Sequence, residues 1–369
     1  MIHGEVSIER LGLLRNDALG DTLLVLPVAS AVKQIDSGVH VELVCNGAFT
    51  ELLSAHPDLD DVHADPGGRV GVLSRLLKSR RFDALLVMRP TPRNALAAVW
   101  ANIPLRVGTA NRFYGPLFNV RWYGHRSRNL QHEVLYNLEL LQKLTDAHYG
   151  APQYYLPPPP ADREAARAVL SSAGVQDDRP LIALHPGSRL RPDGSYSHLL
   201  WPAASFSELA AALMGDGVQV VVTGSTADAD LAGPVREVEG VVDLIGRTTL
   251  GQLAWILKQC DTVVANSTGP LHLAAAVGTK VIGLYPAAAG MSPVRWGPFG
   301  TGHKVFTPPP EICNETVCTL ERCPEFNCLE RITPAAVRDV ALGMTSQSPH
   351  RSRREGPERT GGTGEGGSP

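Results

Sequence analysis

The chain has 369 residues, of which 43% are hydrophobic and 19% charged, and its formal net charge is −3. That is enough chain for two domains of ordinary globular composition, and it lacks the overall basic excess of a nucleic-acid binder. No apolar run reaches the roughly 18–20 residues of a membrane helix; the longest, around Leu19 to Ala31, is interrupted by Asp21 and Pro27.

The first ten residues, MIHGEVSIER, are mixed and acidic rather than signal-like, so a cytoplasmic protein is expected. "LGLLRN" reads as a strand and "DTLLVLPVASAVKQI" as a helix. "HVELVCN" and "RFDALLVMRP" are further strands, with a helix-like run, "GVLSRLLKSR", between them. Strands alternating with helices predict a parallel sheet covered on both faces. "LPPPP", Leu156 to Pro160, is a stiff connector. Beyond it the alternation restarts: helix "ADREAARAVLSSAG", strand "PLIALHPGS", helix "SFSELAAALMGDG", strand "VQVVVTGS", helix "TLGQLAWILKQC", strand "DTVVANS". The expected organisation is an α/β chain with Rossmann-like domains at 1–156 and 157–344 facing a cleft, and a Ser/Gly/Arg/Glu/Pro-rich, disordered tail at 345–369. Ligands of such sheets bind outside the carboxyl ends of the strands.

Three segments at those ends carry chemistry. "TVVANSTGPLHLAAAVG" reads as strand, turn and helix, with Ser267 or Thr268 as cap, Gly269 in the turn and Pro270 in the first helical turn. The unpaired N–H groups and positive dipole end of such a helix form an anion site. His272, four residues after Thr268, either donates to a bound phosphate or is a satisfied histidine between helix and sheet. "HPGSR" ends a strand on the same edge, and Gly187, Ser188 and Arg189 suit a phosphate; the alternative is a plain Pro-Gly turn. "RNDALGD" follows the first strand. There Gly20 permits close approach, and Asp21 is either a helix-start carboxylate or a general base facing the cleft.

From Arg75 to Arg128 there are eleven Lys/Arg and one acid, Asp83, with Phe113, Tyr114, Trp122 and Tyr123 interleaved. That bias suggests an anionic partner or a solvated basic face.

Together, Arg15 with Gly20-Asp21, "HPGSR", "GSTADADL" and "NSTGPLHLAAAVGTKVIGLYP" resemble glycosyltransferase family 9, the bacterial lipopolysaccharide heptosyltransferases. "RVGTANR" and "HEVLYNLELL" also look like family segments, and the similarity runs from about residue 8 to 342. The resemblance implies a GT-B-type fold with the acceptor on the N-terminal domain and a nucleotide sugar, ADP-heptose for heptosyltransferases proper, on the C-terminal one. It implies inverting transfer without a catalytic metal or cofactor. By the same resemblance Asp21 is the catalytic base. Gly187, Ser188, Arg189, Ser267, Thr268, Gly269 and His272 hold the donor phosphates, and Asp228 lies near the nucleotide ribose. Arg15, Gly20, Arg89, Arg93 and Arg112 meet the acceptor. The implied partners are a nucleotide sugar and an anionic glycolipid, without nucleic acid, and any membrane contact is peripheral through the basic 75–128 surface.

Three features depart from the family pattern. Ser267 stands where an acid is common. Leu199-Leu200 stand where a phosphate-binding lysine is expected before Trp201-Pro202, behind an insertion from Arg191 to His198; Arg189 or Arg191 is the candidate substitute.

Cys45 and Cys260 read as core thiols. Cys313, Cys318, Cys323 and Cys328 form a C-x4-C-x4-C-x4-C series whose readings are structural zinc, reduced thiols or disulfides. Two further functional readings stand beside transfer: a nucleotide-sugar epimerase on the same fold, and a catalytically silent nucleotide- or glycan-binding protein. A dehydrogenase is disfavoured because no GxGxxG follows the first strand.

Overall fold

The computed structural model describes residues 1–4, 6–151, 153–187, 199–311 and 327–346. Ser188, Arg189, Arg191, Cys313, Cys318, Cys323 and the tail from 347 lie outside the described residues.

Two six-stranded, wholly parallel sheets form the frame. The N-terminal sheet contains β1 (Arg10–Leu14), β2 (His40–Cys45), β3 (Asp61–Ala64), β4 (Ala84–Val87), β5 (Leu105–Thr109) and β6 (Val120–Trp122), in the order β3-β2-β1-β4-β5-β6. The C-terminal sheet contains β7 (Leu181–His185), β8 (Gln219–Val222), β9 (Val242–Asp243), β10 (Thr262–Asn266), β11 (Lys280–Leu284) and β12 (Lys304–Phe306), in the order β9-β8-β7-β10-β11-β12. Each sheet thus repeats the Rossmann order, with the chain reversing direction between its first and fourth strands. The central strands are short continuous apolar runs because helices cover both faces. In β1 every residue after Arg10 is buried, and Leu13 pairs with Leu43 of β2 and Leu86 of β4.

One predicted element differs. The run "DTLLVLPVASAVKQI" is two helices, Leu19–Leu23 and Leu26–Ile35. Pro27 has no N–H to give Leu23 and its ring would crowd that carbonyl, so the ladder breaks at Leu24–Val25 and resumes with Pro27 in the first turn. The break leaves Leu19–Leu23 as one short turn at the head of β1, aimed at the other sheet.

The proline run is docked on the C-terminal half. The Leu156 N–H donates to Ala276 O (2.8 Å), and Trp255 Nε1 donates to Pro159 O (2.6 Å). Nearby, the buried Tyr154 hydroxyl donates to His272 O (3.0 Å). Among the described residues no helix is long and apolar enough to cross a membrane.

Candidate active site

The first strand of the N-terminal sheet delivers Arg15 into the interior. Its Nε donates to Asp17 (2.8 Å), its Nη1 to Met88 O and Glu133 (3.1 Å each), and its Nη2 to Asp21 Oδ1. Burial opposes the guanidinium charge, but Asp21, Asp17 and Glu133 outweigh it and hold Arg15 protonated well above its ordinary range. Arg15, expected to meet an acceptor, is turned inward instead and fixes Asp21. Asp21 occupies the third position of the Leu19–Leu23 helix, with its side chain 25% exposed on the cleft wall.

Glu133 is the hub of this side, and the sequence reading assigned it no role. It is wholly buried at the start of the Glu133–Leu141 helix. Arg15, Arg126 and Arg295 all pair with it, the last at 2.9 Å from the C-terminal half. Burial favours its neutral form, yet Arg126, Arg15 and Arg295 together keep its pKa below the usual carboxylate value. Arg126 is pressed the other way, down to about 10, by burial and by its neighbours Arg15 and Arg295 against the pull of Glu133. The available sequence signal was the family-like segment "HEVLYNLELL", which contains Glu133.

Across the cleft, β10 runs into the Gly269–Ala276 helix. Thr268 is its N-cap by backbone geometry, but its side chain makes no capping hydrogen bond. Thr268 Oγ1 and His272 Nδ1 are both buried without a hydrogen-bond partner among the described residues. Two orphaned polar atoms at one helix N-terminus cost stability unless a ligand satisfies them, and the free N–H groups beside them favour an anion. Burial, then His132 and His303, push His272 down to about 3, so in the unliganded protein it is a neutral imidazole with a hydrogen bond to offer. Ser267 is hydrogen-bonded with the buried Tyr285. Leu199 and Leu200 are buried, so these two positions offer no phosphate-binding cation.

These groups line one cleft of about 670 Å³ shared by both halves, with Gly20 and Asp21 on one wall and Ser267, Thr268, Gly269 and His272 on the other. That volume suits a nucleotide-sized ligand. Asp228 also lines it, and its carboxylate accepts from Ser225 N and Oγ (2.7 and 2.6 Å). Gly187 packs behind Asp228, where a methyl group would sit 2.8 Å from the carboxylate carbon. Phe49, Thr248, Thr249, Leu250 and Leu253 line the cleft as well, and none of them stands out in the sequence. The T-x-x-Q capping box of Thr249 and Gln252 is the signal that marks this helix start. Arg89, Arg93 and Arg112 do not line the cleft. Arg89 donates to Asn16 O (2.7 Å), and Arg93 is bidentate on Asp65 (2.7 Å for both bonds). Arg112 is exposed on the loop after β5.

The two walls touch where glycines let them. A methyl on Gly20 would sit 2.7 Å from His272 Cδ2, and one on Gly269 would sit 3.0 Å from Leu19 Cβ. Gly20→Ala would gain up to about 1 kcal/mol of helix propensity but force the buried His272 ring to move, at about 1–3 kcal/mol of overpacking. The expected result is a lower melting temperature with weaker nucleotide diphosphate binding. A higher melting temperature with unchanged binding would mean that the contact is slack.

The basic stretch is less bare than its composition suggests. Arg80, Arg89, Arg93 and Arg126 meet carboxylates folded in from elsewhere: Glu42 and Asp61, Asp17, Asp65, and Glu133. A sequence window cannot register such long-range pairing. One group of metal-ligating side chains occurs among the described residues, His40, Glu42 and Asp61. Glu42 is already paired with Arg10 and Arg80, so the group is an ion-pair cluster with its charge compensated. Cys45, Cys260 and Cys328 are buried; burial, with Asp65 nearby, lifts the Cys45 thiol to about 12, so it is unreactive.

Two Rossmann-like sheets with facing carboxyl edges, a carboxylate on one wall and a helix N-terminus on the other, make the architecture of a GT-B fold. The model of glycosyltransferase family 9 (heptosyltransferase) matches residues 70–323. Lipopolysaccharide heptosyltransferase 2 of Salmonella typhimurium is 28% identical over 74% of this chain and 82% of its own length. Among solved structures, a family 9 glycosyltransferase from Veillonella parvula superposes with a TM-score of 0.79 at 20% identity, covering 94% of this chain and 99% of its own. The Escherichia coli ADP-heptose lipopolysaccharide heptosyltransferase II gives a TM-score of 0.71 at 20% identity, covering 91% and 98%. The chain belongs to glycosyltransferase family 9 and is a glycosyltransferase.

Proposed function

We propose that the protein transfers heptose from ADP-heptose to a lipopolysaccharide-core or related cell-envelope glycan, with inversion and without a metal in the step. The observation that carries this reading is the pair of buried, unpartnered atoms, Thr268 Oγ1 and His272 Nδ1, at a helix N-terminus in the cleft that Asp21 also lines. The diphosphate satisfies those atoms and the helix N–H groups, while Phe49, Leu250 and Leu253 take the nucleoside. Residues 157–344 act as the donor domain and residues 1–156 as the acceptor domain. Asp21 removes the proton of an acceptor hydroxyl, whose oxygen attacks the anomeric carbon as the carbon–oxygen bond to the diphosphate breaks on the opposite face. The leaving diphosphate gains charge as that bond breaks, and donors already aimed at it lower the barrier. Relatives named lipopolysaccharide heptosyltransferase support heptose as the sugar and lipopolysaccharide as the acceptor class.

Thermal melting with ADP, UDP and GDP tests the donor. A ligand at about 100 times its Kd adds about 2.7 kcal/mol. ADP is expected to raise the melting temperature and the other two are not, and His272→Ala should abolish the response. Stabilisation by UDP or GDP in place of ADP would reassign the donor, and no response to any of the three would remove the donor-site reading.

A further inference from the structure

We propose that the indole of Trp296 is the wall on which the sugar ring of the donor stacks. This rests on the donor reading above and adds to it the place of the sugar. Trp296 ends the short Pro293–Trp296 helix, is half-buried, and lines the same cleft as Asp21, Thr268 and His272. Its position is fixed from several sides. Nε1 donates to Gly290 O (3.1 Å). The Trp296 N–H donates to Ser292 O (2.9 Å), and the buried Tyr285 hydroxyl donates to Trp296 O (2.7 Å). The Arg295 guanidinium lies over one face of the indole, 4.4 Å from the ring centre. Arg295 is itself held from the N-terminal half, donating to Glu133 (2.9 Å) and to Arg126 O (3.2 Å). With that face covered, a ring stacking on Trp296 uses the other. A wall already held in place costs a ligand little ordering.

Strand order places the sugar at this residue. Nucleotides lie across the carboxyl edge of such a sheet. The cleft-lining segments of the C-terminal half leave that edge in the order β9, β8, β7, β10, β11. Leu250 and Leu253 follow β9, Asp228 follows β8, Thr268 and His272 follow β10, and Trp296 follows β11. A diphosphate at Thr268 and His272, with its nucleoside toward β8 and β9, sends its sugar toward β11. There the sugar meets an indole rather than a charged group. One side of a sugar ring presents C–H groups, and the negative π face of an indole attracts them. Asp21 stands on the facing wall, and one buried carboxylate braces both sides. Glu133 pairs with Arg295, which backs the indole, and with Arg15, which holds Asp21. The stacking wall and the proposed base are thereby set by a single anchor.

The test compares ADP with ADP-heptose on the full chain, measuring dissociation constants and steady-state transfer for the parent, Trp296→Leu and Trp296→Phe. Trp296→Leu is expected to weaken ADP-heptose by about tenfold, or about 1.4 kcal/mol, and to leave ADP at the parent's affinity. KM for ADP-heptose should rise with it while KM for the acceptor holds. Trp296→Phe keeps an aromatic face and should retain most of the ADP-heptose affinity, which a loss of packing alone would not predict. Ligand-free melting temperatures identify any loss of fold, and the two variants are compared with each other where both fall. Unchanged ADP-heptose affinity in Trp296→Leu would put the sugar elsewhere and leave the donor reading standing. Equal weakening of ADP and ADP-heptose would make Trp296 a nucleotide or framework contact and overturn the proposal. A rise in acceptor KM alone would assign the indole to the acceptor and overturn it too. A parent that binds neither ligand would remove the donor reading and this proposal together.

Discussion

Asp21→Asn is expected to lower kcat by about 10²–10⁴-fold, the usual contribution of a positioned general base, while the melting shift with ADP stays at the parent's value. The substitution suits the question because asparagine keeps the shape of aspartate and an oxygen for Arg15 Nη2, so the Leu19–Leu23 turn is retained. What disappears is the ability to accept a proton. The proposed donor cradle, Thr268, Gly269 and His272, lies on the opposite wall, and its occupancy would not depend on that proton. Steady-state transfer and ADP melts on the same preparation therefore separate the two functions. A kcat within threefold of the parent's would place the base elsewhere. Joint loss of turnover and ADP response would make Asp21 part of the donor site. Turnover absent in the parent as well, with ADP binding intact, would favour the silent binding protein.

How much of this was legible beforehand depended on distance along the chain. The strands β1, β2, β4, β7, β8, β10 and β11 lie in the middle of their sheets or next to it and are apolar on both faces, so a short local window detects them. The outer strands β3, β6, β9 and β12 are two to four residues long and only partly buried, and no window separates them from loops. The strand, glycine turn and helix start that bring Thr268, Gly269 and His272 to the cleft were legible because they are consecutive in sequence. The cluster behind Asp21 was not, because Arg15, the Arg126–Glu133 stretch and Arg295 come from three separate parts of the chain and meet only after folding. The same limit left the inward pairing of Arg15, assigned to the acceptor by resemblance, unread, and made the 75–128 stretch look more cationic than its fold leaves it.

That cluster carries the second large effect. Glu133→Ala removes the one carboxylate shared by three arginines, of which Arg15 is almost fully buried. Removing one partner from a buried ionic group costs about 3–5 kcal/mol because the remaining charges are left desolvated. For a domain of this size the expected fall in melting temperature is about 6–20 °C. Glu133→Gln should recover part of it, since the amide oxygen can still accept from one guanidinium. The pH dependence has a fixed sign. The arginines hold the folded-state pKa of Glu133 below its unfolded value, so its stabilisation is complete above about pH 4.3, the ordinary glutamate pKa, and is lost as pH falls through the depressed one. The melting gap between parent and variant should stay constant from neutral pH down to that value and narrow below it. Catalysis should fall as well, because Arg15 loses an anchor and with it the fixed direction of Asp21. Arg295→Met separates the two effects. It leaves Glu133 paired with Arg15 and Arg126, so the melting loss should be small, while removing the tie to the C-terminal half should lower kcat. Equal melting temperatures for parent and Glu133→Ala would show that the cluster adds no net stability and that its buried charges only offset one another.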